Sequence, residues 1–419
     1  MEAEAVPQRV EEKTADIGRA DLVVAVLAEV GSDVVGKMCD ALATLPEPPK
    51  IAVLENESHE TPSATRAAAS ESGSSPKASV FRVPWPVAKP ESTPTGAISL
   101  YATFQSVFAA ADKLQARGCC IIASKLEAFT PKLICQFAQP LLQDEVDLVL
   151  PHYARRKFEG LLNNSILAPL VRTLYGKRVN NPMGPDFGFS RRLLQKVATN
   201  TGNASGNRLH PLASLTPAAL CQSLNLLEVH LSSRIYPQTD WANMSSILAD
   251  VLSPVFLDME RNAACWQRTR FSTPLPSSGE PFVASQDAST LDTTRLVESF
   301  QLGNRELPEI WGLVLPPSTL FELRKLARLP VDKFQMADEL WVRIVYDFAL
   351  AHRLRTISRD HLLRSMTPLY LGWVASYARD VQDANAFSVE RRLERLSAVY
   401  EAGKPYLVSR WRWPDRFNP

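Results

Sequence analysis

The first 240 residues alternate short apolar runs with segments of helical spacing, and this alternation constrains the fold more than any other feature of the sequence. Six runs have the length and the apolar content of buried strands: 20–30, 51–57, 79–87, 119–124, 146–153 and 226–236. Between two of these runs, Leu100, Phe104, Phe108 and Leu114 recur at helical spacing. Strands that alternate with helices form a parallel sheet covered by helices. The sequence therefore predicts an α/β fold with a mostly parallel sheet.

Beyond about residue 245 the pattern changes, and one helical segment follows another to the end of the chain. We therefore expect an α/β domain over 20–240 and an α-helical C-terminal domain over 245–419. Residues 58–79 are small and polar throughout, which predicts a flexible insertion in the first domain. Residues 1–19 are polar and are expected to be disordered.

The charge balance limits the classes of ligand. The chain has 46 Lys and Arg against 45 Asp and Glu, so it lacks the basic excess of a nucleic-acid-binding protein. No apolar stretch reaches the about 18 residues of a membrane span, and the polar first twenty residues do not resemble a signal peptide. The six cysteines show no metal-site spacing. We expect a cytoplasmic protein with reduced cysteines whose partners are small molecules or proteins.

A basic loop provides the first candidate site. Arg155, Arg156 and Lys157 follow a predicted strand and precede a helix that begins near Asn163. Three cations beside a helix N-terminus suit a phosphate or a carboxylate. A solvated surface loop is the alternative.

A Gly-Pro turn provides the second candidate. The stretch NNPMGPDFGFS places Asp186 between Gly184 and Gly188, and Gly188 permits a ligand or a backbone segment to come close. An Asp in a turn commonly caps that turn, so a structural role is the alternative. His152 has no carboxylate nearby in the sequence to orient it, and we interpret it as structural.

The run LVLPHYARRKFEGLLNNSILAPLVRTLYGKRVNNPMGPDFGFS resembles the central part of family 2-like glycosyltransferases of the GT-A fold. It is similar to the group of mannosylglycerate synthase and glucosyl-3-phosphoglycerate synthase, whose members show a Tyr-Ala-Arg-x-Lys-Tyr-Asp-Gly-like loop, a helix and a Pro-x-Gly-Gly-Asp-Phe-Gly turn. The resemblance is strong over 147–190, moderate over the C-terminal helices and only topological before residue 147. It implies a GT-A-like sheet.

The resemblance also implies transfer of a hexose from a nucleotide-sugar donor to a small hydroxyl acceptor. In the family, an Asp-x-Asp pair holds a divalent metal on the donor diphosphate, where negative charge gathers during transfer. Here the corresponding triplet is Ala123-Ser124-Lys125, and neither alanine nor lysine supplies the oxygen ligands of a hard cation. The metal of the family is therefore expected to be missing, and no other cofactor is indicated.

One hypothesis is an active transferase that works without a metal. Lys125 would place a positive charge where the metal lies in the family, and Asp186 would contact the acceptor or the sugar hydroxyls as the catalytic residue. The other basic side chains would neutralise the diphosphate and two glutamates would hold the ribose, which gives a donor site of Lys125, Arg155, Arg156, Glu55 and Glu57.

A second hypothesis is an inactive glycosyltransferase-like protein that binds or regulates a partner, such as an active paralogue or a second copy of itself. Several donor-site elements of the family are replaced together. The first strand ends in Leu27–Val30 instead of a Pro-Ser-Tyr-Asn-like contact, 208–215 lacks the family's acid, and Tyr236 stands where a histidine is expected.

A third interpretation makes the C-terminal helices an interaction module because they are rich in tryptophan. The residues concerned are Trp311, Trp341, Trp373, Trp411 and Trp413. Aromatic residues at helical spacing more often form a core than an interface, which favours packing.

Overall fold

The computed structural model describes residues 17–28, 30–45, 49–56, 79–85, 96–125, 133–201, 211–234, 241–284 and 289–414. These residues form two compact units. The first contains the described residues up to Ala154, 180–234 and Leu275–Val283, and the second contains Arg155–Val179, 241–274 and the described residues from Ala284 onward.

The strands of the described residues are β1 (Leu22–Val26), β2 (Lys50–Asn56), β3 (Ser79–Trp85), β4 (Gly118–Ile122), β5 (Leu148–Tyr153), β6 (Lys177–Arg178), β7 (Phe187–Ser190), β8 (Leu226–Leu231), β9 (Thr273–Pro274) and β10 (Ser277–Ser278). Eight of them form one sheet in the order β10-β8-β5-β7-β4-β1-β2-β3 in the first unit. Strand β7 runs antiparallel to β4 and β5, whereas the other pairs in this sheet are parallel. The predicted mostly parallel sheet is confirmed.

The α-helices described in the first unit are α1 (Ser32–Leu42), α2 (Gly96–Lys113), α3 (Leu133–Leu142), α5 (Arg191–Thr201) and α6 (Pro211–Cys221). Helix α4 (Ala168–Tyr175) belongs to the second unit. The second unit continues with α7 (Met244–Arg261), α8 (Ala263–Trp266), α9 (Thr293–Glu306), α10 (Pro308–Val314), α11 (Pro317–Ala327), α12 (Asp338–Leu354), α13 (Arg359–Ser365), α14 (Thr367–Asp380) and α15 (Ala386–Arg412). It also contains a π-helix at Asn163–Leu167 and a 3₁₀-helix at Val331–Lys333.

The apolar runs form strands because the central strands are covered on both faces. Every residue of β1 and β4 is buried, as a parallel sheet between two helical layers requires. On one face, Val24, Val53 and Cys120 belong to a single core cluster with Phe137 and Leu141 of α3. The helix predicted from the spacing of Leu100 to Leu114 is confirmed as α2.

The second unit packs around its tryptophans. Trp341 and Trp373 stack with ring centroids 6.0 Å apart, and Trp373 stacks on Tyr377 at 5.2 Å. Trp311, Trp341, Trp373 and Trp411 are buried, whereas Trp413 is 59% exposed. The interpretation of these residues as core is therefore confirmed for four of the five.

Residues 155–179 pack with the C-terminal helices. The Arg172 guanidinium donates to Glu394 and Glu401 of α15, at 2.6 and 2.9 Å. The Lys404 ammonium donates to the carbonyls of Thr173 and Thr269, and burial lowers the pKa of Lys404 to about 8. The sequence analysis assigned this segment to the α/β domain, whereas the structure groups it with the second unit. The domain boundary near residue 240 stays a prediction.

Some expectations concern other parts of the chain. Residues 1–16 and 58–78 lie outside the described residues, while Ile17 is buried and its carbonyl accepts from the Lys50 ammonium. Among the described helices, none combines the length and apolar character needed to cross a membrane. Cys39, Cys119, Cys120 and Cys135 carry reduced thiols, whereas Cys221 and Cys265 are disulfide-bonded, so the expectation of reduced cysteines is wrong for those two.

Three buried titratable groups of the second unit have shifted pKa values. His352 is fully buried beside Phe256, and neither ring nitrogen has a hydrogen-bond partner among the described residues. Burial lowers the pKa of His352 to about 3. Burial raises the pKa of Asp258, which accepts from the Tyr175 hydroxyl at 2.9 Å, to about 7. It raises the pKa of Asp347 to about 6.

We predict that His352→Leu makes the protein more resistant to acid. The folded histidine stays neutral down to about pH 3, whereas the unfolded one takes up a proton below about pH 6.5. Its contribution to stability is therefore present above pH 6.5 and is lost as the pH falls, by about 2 kcal/mol at pH 5. The free energy of unfolding, measured by denaturant titration at pH 7.5 and 5.0, should fall less in the variant than in the wild type. The control is His361→Leu, an exposed site. Equal losses in the wild type and His352→Leu would contradict the prediction.

Candidate functional site

The candidate site lies at one edge of the first unit's sheet. Strands β1, β2, β4, β5 and β8 are parallel, so their carboxyl ends share this edge, and β7 begins there because it runs the opposite way. In open α/β sheets, ligands bind outside the carboxyl ends of the strands. The residues that follow these strands are therefore the ones to consider.

Asp186 holds the segment after β4 in place. Its side chain is fully buried, and Oδ1 accepts from the backbone N–H groups of Ala123 at 2.7 Å and Ser124 at 2.8 Å. The Tyr153 hydroxyl donates to Oδ2 at 2.5 Å. Both carboxylate oxygens therefore have protein donors, and the structure gives Asp186 a positioning role. The prediction that Asp186 touches a sugar hydroxyl stays a prediction.

Tyr153 and Arg234 belong to the same cluster, although sequence reasoning assigned no role to either. Burial raises the pKa of Tyr153 well above its ordinary value, and the charge of Asp186 acts in the same direction. The positive charge of Arg234, three residues after β8, acts the other way. Arg234 is half-buried and thus adds a cation to this edge of the sheet.

Lys125 extends from the segment that Asp186 fixes. It is exposed, while Ser124 beside it is 2% exposed. The side chains of Ala123 and Lys125 offer no oxygen ligand for a divalent metal, and the Asp186 oxygens already accept hydrogen bonds. Among the described residues, no group of three or more His, Cys, Asp or Glu is arranged to hold a metal ion.

Glu55 lies at the carboxyl end of β2 but is already paired. It is 1% exposed, and the Arg82 guanidinium of β3 donates to both of its oxygens, at 3.2 and 2.6 Å. This arrangement raises the pKa of Arg82 above its ordinary value, chiefly through the hydrogen bond. The proposed contact of Glu55 with a ribose stays a prediction. Glu57, the other predicted ribose ligand, lies outside the described residues.

The two turn glycines are required by packing. A Cβ on Gly184 would lie 2.3 Å from Cγ of Pro151, and a Cβ on Gly188 would lie 2.8 Å from Cδ1 of Leu141. The close approach anticipated at Gly188 is thus the approach of helix α3 to β7. Gly184 lets the 180–186 loop lie directly against β5.

The predicted basic loop lies in the second unit and is internally paired. Arg155 donates to the side-chain oxygen of Asn164 at the start of the π-helix. Arg156 donates through its guanidinium and its backbone N–H to Glu159, at 2.9 Å each. Arg155 and Arg156 belong to the second unit, whereas Lys125 belongs to the first. Their binding of a diphosphate stays a prediction.

Glu228 lies near His152, although no carboxylate is close to this histidine in the sequence. Glu228 is two residues before His230 on β8, and β8 pairs with β5 so that His230 is directly opposite His152. Glu228 Oε2 lies 3.9 Å from His152 Nδ1, and Asn180 Nδ2 lies 3.4 Å from the same nitrogen. The alternation of side chains along a strand puts Glu228 and His230 on one face, but only the sheet register brings His152 beside them.

No protein-family model matches the chain, and no curated protein matches its sequence. Similar solved structures include glucosyl-3-phosphoglycerate synthase from Mycobacterium tuberculosis, in complex with Mn²⁺, UDP-glucose and phosphoglyceric acid. It has 19% identity and a TM-score of 0.31, covering 59% of this chain and 83% of its own. Mannosyl-3-phosphoglycerate synthase from Rubrobacter xylanophilus has 17% identity and a TM-score of 0.33, covering 63% and 81%.

Both are 3-phosphoglycerate synthases by name. The mostly parallel sheet and the helical C-terminal region confirm the predicted α/β class. Mn²⁺, UDP-glucose and phosphoglyceric acid are ligands of the Mycobacterium tuberculosis enzyme.

We predict that Asp186→Ala lowers the free energy of unfolding by about 3 kcal/mol or more, because two buried N–H groups and a hydroxyl lose their acceptor. Tyr153→Phe should cost about 1–2 kcal/mol, since it deprives one buried carboxylate oxygen of its donor. The measurement is a double-mutant cycle by denaturant titration, in which the combined loss should be smaller than the sum. Additive losses, or no loss in Asp186→Ala, would contradict the positioning role.

Proposed function

We propose that the protein is a glycosyltransferase-like protein that binds a nucleotide sugar without a metal and transfers its hexose to a small hydroxyl acceptor. The observation that carries the proposal is Lys125. It is an exposed cation on a fixed segment at the carboxyl end of β4, where the enzymes that the sequence resembles have their metal-binding acids.

The fixed backbone supports this role for Lys125. Asp186 holds the two preceding residues through their N–H groups, so the Lys125 side chain starts from a defined position although its ammonium is free to follow a ligand. An ammonium is a compact point charge that binds phosphate well. Arg234 adds positive charge to the same edge.

The proposed reaction is a displacement at the sugar. The bond from the anomeric carbon to the diphosphate oxygen breaks, a bond to the acceptor oxygen forms, and the hydroxyl proton passes to solvent or to the leaving diphosphate. The cation near the diphosphate stabilises the charge that develops on it. A cytoplasmic location, where nucleotide sugars are available, is part of the proposal.

Two observations favour a second candidate, an inactive glycosyltransferase-like protein that acts as a binding or regulatory partner. Glu55 is held by Arg82, and Asp186 is held by Tyr153 and two backbone N–H groups. Two of the three acids that the sequence analysis placed in the site, those that the structure describes, therefore already have protein partners. The partner in this case would be an active paralogue or a second copy of the chain.

We predict that Lys125→Ala weakens the binding of nucleoside diphosphates and nucleotide sugars by about tenfold or more, because it removes a charge-assisted contact of about 1.5–3 kcal/mol. Isothermal titration calorimetry with a panel of these ligands, with magnesium or manganese and again with a chelator, measures the effect. Binding by the wild type should survive chelation.

The matched variants separate charge from position. Lys125→Arg keeps the positive charge and should retain most of the affinity, and Lys37→Ala removes an exposed lysine from α1 and should have no effect. Binding that requires the metal, or equal affinity in Lys125→Ala and Lys37→Ala, would refute metal-independent binding. Absence of binding by the wild type under every condition would favour the inactive protein.

A further inference from the structure

A pair of histidines lies on neighbouring strands of the first unit. His152 of β5 and His230 of β8 are partners in the parallel register, and their rings lie 4.6 Å apart at an angle of 35°. The His152 side chain is 35% exposed and can exchange protons with solvent, whereas the Glu228 side chain beside it is 5% exposed.

Asn180 links this pair to the 180–186 loop. Its backbone N–H donates to Glu228 Oε1 at 2.7 Å, and its side-chain Nδ2 donates to Glu228 Oε2 at 2.9 Å. The same Nδ2 lies 3.4 Å from His152 Nδ1. The orientation of the Asn180 amide is fixed by Glu228, because reversing it would set an oxygen against a carboxylate oxygen.

This geometry makes the contact depend on the charge of His152. An amide Nδ2 is a donor only, so His152 Nδ1 must accept, which places the proton of the neutral ring on Nε2. When the ring gains a second proton, Nδ1 becomes a donor as well, and two donors then face each other. The charged ring is also attracted to Glu228 Oε2, 3.9 Å away, which is the acceptor that Asn180 uses.

We propose that His152, Glu228 and Asn180 form a pH-sensitive switch that holds the start of the 180–186 loop when His152 is neutral and releases the Asn180 side chain when His152 is protonated. The groups that the structure places against His152 include Glu228 and His230, both from β8, and Asn180 from the loop.

The switch acts at one end of a loop that is anchored at several points. Asn181 donates to the carbonyl of Pro151 at 2.8 Å, and the Thr216 hydroxyl donates to the carbonyl of Pro182 at 2.8 Å. At the other end, Asp186 holds the segment before Lys125. Release of Asn180 therefore loosens the first anchor and leaves the others. A loss of nucleotide-sugar affinity at low pH would follow only if the proposed function holds.

The experiment follows the side-chain NH₂ of Asn180 by hydrogen exchange between pH 8 and pH 5, corrected for the intrinsic pH dependence of exchange, in the full-length protein without ligand. In the wild type, protection should fall at low pH. The fall should be about tenfold for each unit by which the pKa of His152 differs between the state that holds the Asn180 side chain and the state that releases it. The midpoint should coincide with that of the His152 ring signals in an NMR titration.

His152→Asn is the decisive variant, because its side-chain oxygen can accept from Asn180 Nδ2 but takes up no proton in this range. It should keep the protection of Asn180 constant from pH 8 to pH 5, and the control His361→Asn, an exposed site in the second unit, should behave as the wild type. The switch is refuted if His152→Asn loses protection with the wild-type midpoint. It is also refuted if the wild-type His152 titrates while the Asn180 signal stays unchanged. Both readouts are independent of nucleotide-sugar binding, so they are unaffected if the proposed function fails.

Discussion

The buried carboxylate of Asp186 is the interaction on which the candidate site depends. A charge without solvent requires donors, and Asp186 has three, from Ala123, Ser124 and Tyr153. The antiparallel strand β7 makes this possible. Because β7 runs against its neighbours, its first residues lie where β4 ends, with Phe187 opposite Ile121. The residue just before β7 can therefore bind the backbone just after β4.

Much of the sheet could be predicted because its central strands are buried on both faces and so leave continuous apolar runs in the sequence. β7 could not be recognised in this way, since it has four residues and a glycine in the middle. It is a strand because β4 and β5 pair with it on either side. The sequence predicted candidate residues at the ends of strands, but it did not predict the side chains that pair with them. Arg82 beside Glu55 and Glu228 beside His152 are set by strand register, which the local sequence does not contain.

In the proposed donor site, alanine and lysine stand where the enzymes that the sequence resembles have two acids, and this changes the physics of the site. A divalent ion is held rigidly by several oxygens, whereas a lysine ammonium moves on a flexible stem and carries a single charge. Binding that relies on exposed ammonium and guanidinium groups weakens as the ionic strength rises, because surface charges are screened over about 8 Å at physiological salt. Here the buried contacts of Asp186 and Glu55 fix the backbone and the neighbouring side chains, whereas the Lys125 side chain is exposed.

The buried groups of the second unit have opposite effects on its proton balance. As the pH falls from 7 towards 4, the folded unit takes up protons at Asp258 and then at Asp347, whereas the unfolded chain takes one up at His352. The slope of stability with pH measures only the difference between these uptakes. Acidification can therefore change the charge state of the folded interior considerably while the net stability changes little. A small pH dependence of stability would then mean that the opposite contributions of Asp258, Asp347 and His352 cancel. A substitution of any one of the three would disturb that balance.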